Sequence, residues 1–240
     1  MVGPSKSVPF PRGVADPDAS HAYVRAAAGT VMALDLTSGE VLWRSAIGNL
    51  RPLSIVEDML VTARITKPGA LELVILESAD GAVLRVSKPL PLPGWAHPSL
   101  DDTPEFTLRG EAEAQSAVIR WSAQARYQGG APPTAQVLKS YERDAHGGAR
   151  LDLETGAIEL LHDEVENAAA FAGQPVKSVS EGEVLEQQEI GDRSFQLVAQ
   201  SETSGTVKVL LRAIERNSGK MVWQSLLEEA PLRRPKPLRP

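Results

Sequence analysis

The chain has 240 residues, 42% hydrophobic, 23% charged and 5% aromatic, with a formal net charge of −6 and no cysteine. That composition sustains a buried core and excludes a disordered chain. The missing cysteines remove disulfides, thiolate nucleophiles and thiolate metal sites together, and no apolar run reaches the about 18 residues of a spanning helix.

Residues 1–20 hold four prolines and two glycines among small polar residues and read as an irregular leader. They contain no apolar stretch of the kind a secretory signal needs, so a cytoplasmic location is the expectation. From there the pattern is strand-like: short runs rich in Val, Leu, Ile and Thr alternate with Gly, Asp, Ser or Pro. Strands are predicted near 22–27, 30–36, 40–45, 52–56, 59–66, 71–78, 82–87, 106–111 and 116–127. Further strands are predicted near 136–143, 149–153, 157–161, 183–190, 195–201, 206–216 and 220–226. One short helical segment, 163–171, opens on acids, runs into alanines and stops at Gly173.

Beyond the last strand, residues 228–240 hold four prolines. The final ten, 231–240, carry Arg233, Arg234, Lys236 and Arg239 and no acid. Removing those four positive charges from the net −6 leaves −10 on residues 1–230. An acidic body of that kind repels a phosphate backbone, so no nucleic-acid partner is expected. The tail favours the extended polyproline form and ends in a PxxP pattern, Pro237 to Pro240.

Self-similarity is the main organising signal. Residues 31–43 read VMALDLTSGEVLW, and residues 211–223 read LRAIERNSGKMVW. Aligned on Gly39 and Gly219, they share Ala33 with Ala213, Ser38 with Ser218 and Trp43 with Trp223, while Asp35 faces Glu215. Residues 148–160 match through Asp152, Thr155 and Gly156, and residues 73–85 through Glu77 and Gly81. Each unit has the chemistry of a hairpin. An apolar strand ends at an acid that accepts bonds from turn amides, Thr37 or its counterpart adds a local bond, and glycine takes the positive φ. The repeat glycines lie 42, 75 and 63 residues apart. The first spacing is one blade of a propeller, and sixteen strands make four such sheets, in units near 21–50, 51–100, 101–165 and 175–227.

The run from Ala33 through Asp35, Thr37 and Gly39 to Trp43 resembles the ALDxxTGxxxW repeat of quinoprotein-type (PQQ-like) β-propellers. The resemblance implies an all-β array of radial four-stranded sheets. That family spans quinone-dependent dehydrogenases and non-catalytic members that bind proteins, including outer-membrane assembly lipoproteins. Its rings usually close with seven or eight blades, whereas 240 residues hold four to five. The expectation is a small ring, or an incomplete arc finished by another chain, with edge strands that need covering.

Catalysis of the quinoprotein kind implies a pyrroloquinoline quinone, a calcium and a carboxylate base. The repeated acids Asp35, Asp152 and Glu215 read instead as turn formers, so no catalytic or metal residue and no cofactor is assigned. His21, His97, His146 and His162 show no metal-binding spacing. Trp95 and His97 share a loop with Asp101 and Asp102, where an imidazole beside carboxylates could hold a metal or act as a base, though loop composition alone explains the cluster better. In 116–144, Trp121 and Tyr127 alternate with Arg126 in a long hairpin that turns at 129–134 and returns through Tyr141. Trp95, His97, Trp121, Arg126, Tyr127 and Tyr141 are therefore the candidate partner-binding residues. The expected function is a non-catalytic protein-binding or scaffold module, joined to a protein partner or to itself. The alternative is a quinone enzyme, or a carbohydrate-acting propeller using Asp101, Asp102 or Glu105.

Overall fold

The computed structural model describes residues 7–67, 70–126, 142–161, 183–202 and 205–231. They form four sheets, each a meander in chain order with every neighbouring pair antiparallel. The first contains β1 (Val8–Phe10), β2 (Gly13–Ala15), β3 (His21–Arg25), β4 (Val31–Asp35) and β5 (Val41–Arg44). The second contains β6 (Leu50–Val56), β7 (Met59–Lys67), β8 (Ala70–Glu77) and β9 (Val83–Val86). The third contains β10 (Phe106–Ala112), β11 (Ser116–Ala125), β12 (Arg143–Asp152) and β13 (Ile158–Leu161). The fourth contains β14 (Glu183–Ile190), β15 (Arg193–Ser201), β16 (Thr206–Glu215) and β17 (Met221–Pro231). A single 3₁₀ turn, Ala27–Gly29, is the one helical element among the described residues.

Two expectations are corrected. Residues 1–20 are not wholly irregular, because β1 and β2 pair as a hairpin with Pro9 opposite Val14. β1 is the outer member of its sheet, and an edge strand tolerates a proline that a central strand rejects. The register of the long hairpin also differs: Ala125 stands opposite Arg143, beyond the predicted return through Tyr141, so Arg143–Asp152 is the described partner of β11. Tyr127, Tyr141, the segment 163–171 and the tail beyond Pro231 lie outside the described residues.

Side chains on both faces of the sheets form three apolar interfaces. Phe195, Leu211 and Trp223 of the fourth sheet meet Phe10, Met32 and Leu34 of the first. Tyr23 and Ala33 of the first meet Leu60, Val74 and Leu76 of the second. Leu73 and Ile75 of the second meet Phe106, Ile119 and Leu151 of the third. Among the described residues no apolar cluster joins the third sheet to the fourth. The architecture is therefore an all-β, propeller-like arc in the spatial order fourth, first, second, third.

Register shows how the end sheets differ from the inner ones. His21, Met59, Ser116 and Arg193 each stand opposite their sheet's turn acid. Counted from there, the face that receives a neighbour carries Ala22, Val24, Met32 and Leu34 in the first sheet. The second offers Leu60, Thr62, Val74 and Leu76, and the third Ala117, Ile119, Ala149 and Leu151. In the fourth sheet the same positions are Ser194, Gln196, Arg212 and Ile214. Gln196 donates to Gln187 at 3.3 Å and Arg212 to Gln224 at 2.7 Å, while the next pair along the same face, Val198 and Leu210, is apolar and buried. At the other end, the third sheet places Arg150 where the others have Ala33, Ile75 and Ala213, and pairs it with Glu113 and Glu159.

Candidate functional site

The repeat turns use their acids locally. Asp35 Oδ1 accepts the Thr37 and Ser38 amides at 2.8 and 2.7 Å. Asp152 Oδ1 accepts the Thr155 amide at 2.7 Å and its hydroxyl at 2.6 Å, and Glu215 accepts the Ser218 hydroxyl. The Ser38 amide foremost holds the Asp35 carboxyl below the usual range, and the Thr155 hydroxyl does so for Asp152. Gly39, Gly81, Gly156 and Gly219 all have φ between 67° and 76°.

These turns are also where the sheets lock. The indole of Trp223 covers Gly39 and donates to the Leu36 carbonyl at 3.0 Å. Trp43 covers Gly81 and donates to the Ser78 carbonyl at 2.8 Å. The third turn, at Gly156, meets Arg85 instead, and nothing described lies within 4 Å of a Cβ at Gly219. Asp35, Asp152 and Glu215 are thus on separate turns and converge on no common centre.

The loop before the third sheet sets its acids against arginines. Asp101 pairs with Arg25 at 2.6 Å, and Asp102 with Arg51 at 3.0 Å and with Arg109. Burial pushes the Asp102 carboxyl up, but hydrogen bonds and charge from Arg51, and then Arg109, outweigh it and hold it below the ordinary range. No ion pair or hydrogen bond joins His97, which is exposed, to either aspartate. Glu105 is exposed nearby, and Trp95 is half-buried against the core. Trp121 lies over Gly147 within its own sheet, and Arg126 pairs with Asp144 at 2.7 Å. Among the described residues no three His, Asp or Glu side chains gather so as to hold a metal ion.

Two surfaces were not anticipated from sequence. The first is a groove of about 880 Å³ where the β2–β3, β6–β7 and β10–β11 turns meet beside the β8–β9 turn. Its apolar lining includes Tyr23, Leu42, Ile55, Val56 and Ala112. Five carboxylates edge it, Asp16, Asp18, Glu57, Asp58 and Glu113, with no lysine or arginine in the lining. Asp16 bonds His21 at 2.9 Å, Asp18 bonds Ser20 at 2.9 Å, and Glu113 is held by Arg150 at 3.1 Å. The side chains of Glu57 and Asp58 are exposed and have no ion-pair partner among the described residues. Burial, with the Asp16 charge adding to it, pushes the Tyr23 hydroxyl up to about 12, so it stays protonated at the groove floor. Hairpin turns with an acid are individually ordinary, and only the packing of three sheets brings these together.

The second surface is the outer rim. Val41, Leu42, Val83, Leu84, Met221 and Val222 are exposed, and each pair stands two and three residues after a repeat glycine on the last strand of its sheet. Leu42 is 49% exposed and Met221 53%. The third sheet breaks the series, with Glu159 in the second place.

No protein-family model and no curated protein matches the chain. Among solved structures it is similar to BamB from Moraxella catarrhalis, at 15% identity and a TM-score of 0.39, over 90% of this chain and 63% of that one. It is also similar to the computationally designed Ika8 protein, at 8% identity and a TM-score of 0.21, over 91% of this chain and 60% of that one. The chain therefore spans less than two thirds of the length of either protein.

Proposed function

We propose that the chain is a non-catalytic protein-binding scaffold that presents its outer rim to a protein partner. The observation that carries this reading is the repetition of an exposed apolar pair at one structural position in three sheets. Scattered apolar residues on a surface are ordinary, but repetition at matched positions on unpaired edge strands is the pattern of a surface that is covered in use. An edge strand offers free backbone donors and acceptors, and its apolar side chains supply the contact that selects the added segment. The turn acids support the reading from the other side, because their oxygens already serve the turn amides.

A photo-crosslinker placed at Leu84 in cells of the source organism captures the partner, and the purified pair is then titrated by calorimetry. Leu84→Lys and Met221→Lys are each expected to weaken binding tenfold or more with an unchanged melting temperature. Variants that bind like the parent end the rim reading. A melting temperature raised by pyrroloquinoline quinone with calcium, together with dehydrogenase turnover, ends the non-catalytic one.

A further inference from the structure

We propose that the acid-edged groove binds the basic tail of a second copy of this chain, residues 231–240. The groove offers an apolar floor whose accessible part is Leu42, Ala79 and Ala112, with Tyr23, Ile55 and Val56 buried beneath it, and an acidic edge whose Glu57 and Asp58 are unpaired among the described residues. The chain itself holds one segment with the complementary chemistry. Residues 231–240 read PLRRPKPLRP, four cations with no acid.

Spacing strengthens the match. A polyproline II winding has about three residues per turn. On it Arg233, Lys236 and Arg239 share one edge, and Leu232, Pro235 and Leu238 share another. One edge suits the carboxylates and the other the apolar floor. Prolines also lower the entropy lost when such a segment is held.

Reach assigns the tail to a neighbour. Pro231 is in register with Thr206, at the end of the fourth sheet away from the Gly219 turn, whereas the groove lies at the turn end of the arc. The 11 residues of β17 alone cover roughly 36 Å. Arg239 stands eight residues past Pro231 and reaches at most roughly 28 Å from it, even fully extended. Pro231 thus leaves the fourth sheet at the end opposite the groove, which places the tail closer to a neighbouring molecule's groove than to its own, and a second copy is the occupant proposed.

The test pairs two measurements on the full chain. A labelled peptide of residues 229–240 is titrated by fluorescence anisotropy, and self-association is followed by sedimentation equilibrium. Glu57→Lys with Asp58→Lys is expected to weaken both at least tenfold, and Glu57→Gln with Asp58→Asn severalfold. Reversing Arg233, Arg234, Lys236 and Arg239 to Glu in the chain is expected to remove the self-association. Rising salt weakens both measurements. Failure of the peptide to bind, equal binding by a scrambled peptide, or indifference to Glu57 and Asp58 overturns the proposal. So does a chain that stays monomeric while the peptide binds. Leu84→Lys lies on the rim, leaves peptide binding unchanged, and so separates this outcome from that of the scaffold reading.

Discussion

Glycine meets two separate demands in the repeat turns, and the four turns differ in which apply. All four need a positive φ, which costs an L-residue about 1–2 kcal/mol. Only Gly39 and Gly81 also lie under an indole, where a Cβ would stand 2.5 and 2.6 Å from ring atoms. Overpacking adds about 1–3 kcal/mol. Gly39→Ala and Gly81→Ala are therefore expected to lose about 3–4 kcal/mol in urea unfolding, and Gly219→Ala about 1–2. Equal losses at all three would remove the indole from the account. Asp102 supplies the pH test at this scale. Its folded pKa is depressed, so the stability it lends is present above the unfolded value of about 3.9 and is lost as pH falls through the folded value. Asp102→Asn should lower the melting temperature at pH 7 and flatten its fall below about pH 4, as a calorimetric pH series would record.

At the scale of the strand, the tryptophans depend on an irregularity. Register slips between Ala33 and Leu34, between Ile75 and Leu76, and between Ala213 and Ile214, one beside each last strand. The extra residue re-aims the strand, so that Trp43 and Trp223 face the next sheet. The third sheet has no slip, and Arg150 faces Glu159 directly. Trp43→Phe keeps the ring on Gly81 but loses the bond to the Ser78 carbonyl. It should cost about 1 kcal/mol, whereas Trp43→Ala should cost about 3–5, measured by urea unfolding. Much of this was legible in the residues: Asp35, Thr37, Ser38 and Gly39 fix a hairpin by local chemistry that needs no other part of the chain. What depended on position within a sheet was less legible. Pro9 looks like loop until β1 proves to be an edge, and the partner of Trp121 is chosen by a register that no local pattern encodes. The groove was illegible because its acids come from turns of three sheets, each unremarkable alone.

For the whole molecule the arrangement of polar faces decides whether four sheets propagate. Three interfaces bury apolar rows, and a fourth apolar row would recruit another sheet by the same non-directional force. The fourth sheet instead shows Gln196 and Arg212, tied to Gln187 and Gln224, and any sheet stacked there must desolvate a guanidinium and three side-chain amides. Unpaired, such groups cost several kcal/mol, enough to offset the burial of a few aliphatic side chains. At these positions the stacking of a further sheet is opposed by cost as well as by lack of attraction. Replacing Gln196 with Val and Arg212 with Leu should convert the face to the type that the first and second sheets use. Made in the chain whose tail arginines and lysine are reversed to Glu, so that tail-mediated contact is absent, this double variant should raise the weight-average mass in sedimentation equilibrium. It should do so without salt dependence, because apolar burial is not screened. If the variant sediments as its parent does, polar capping is not what ends the arc.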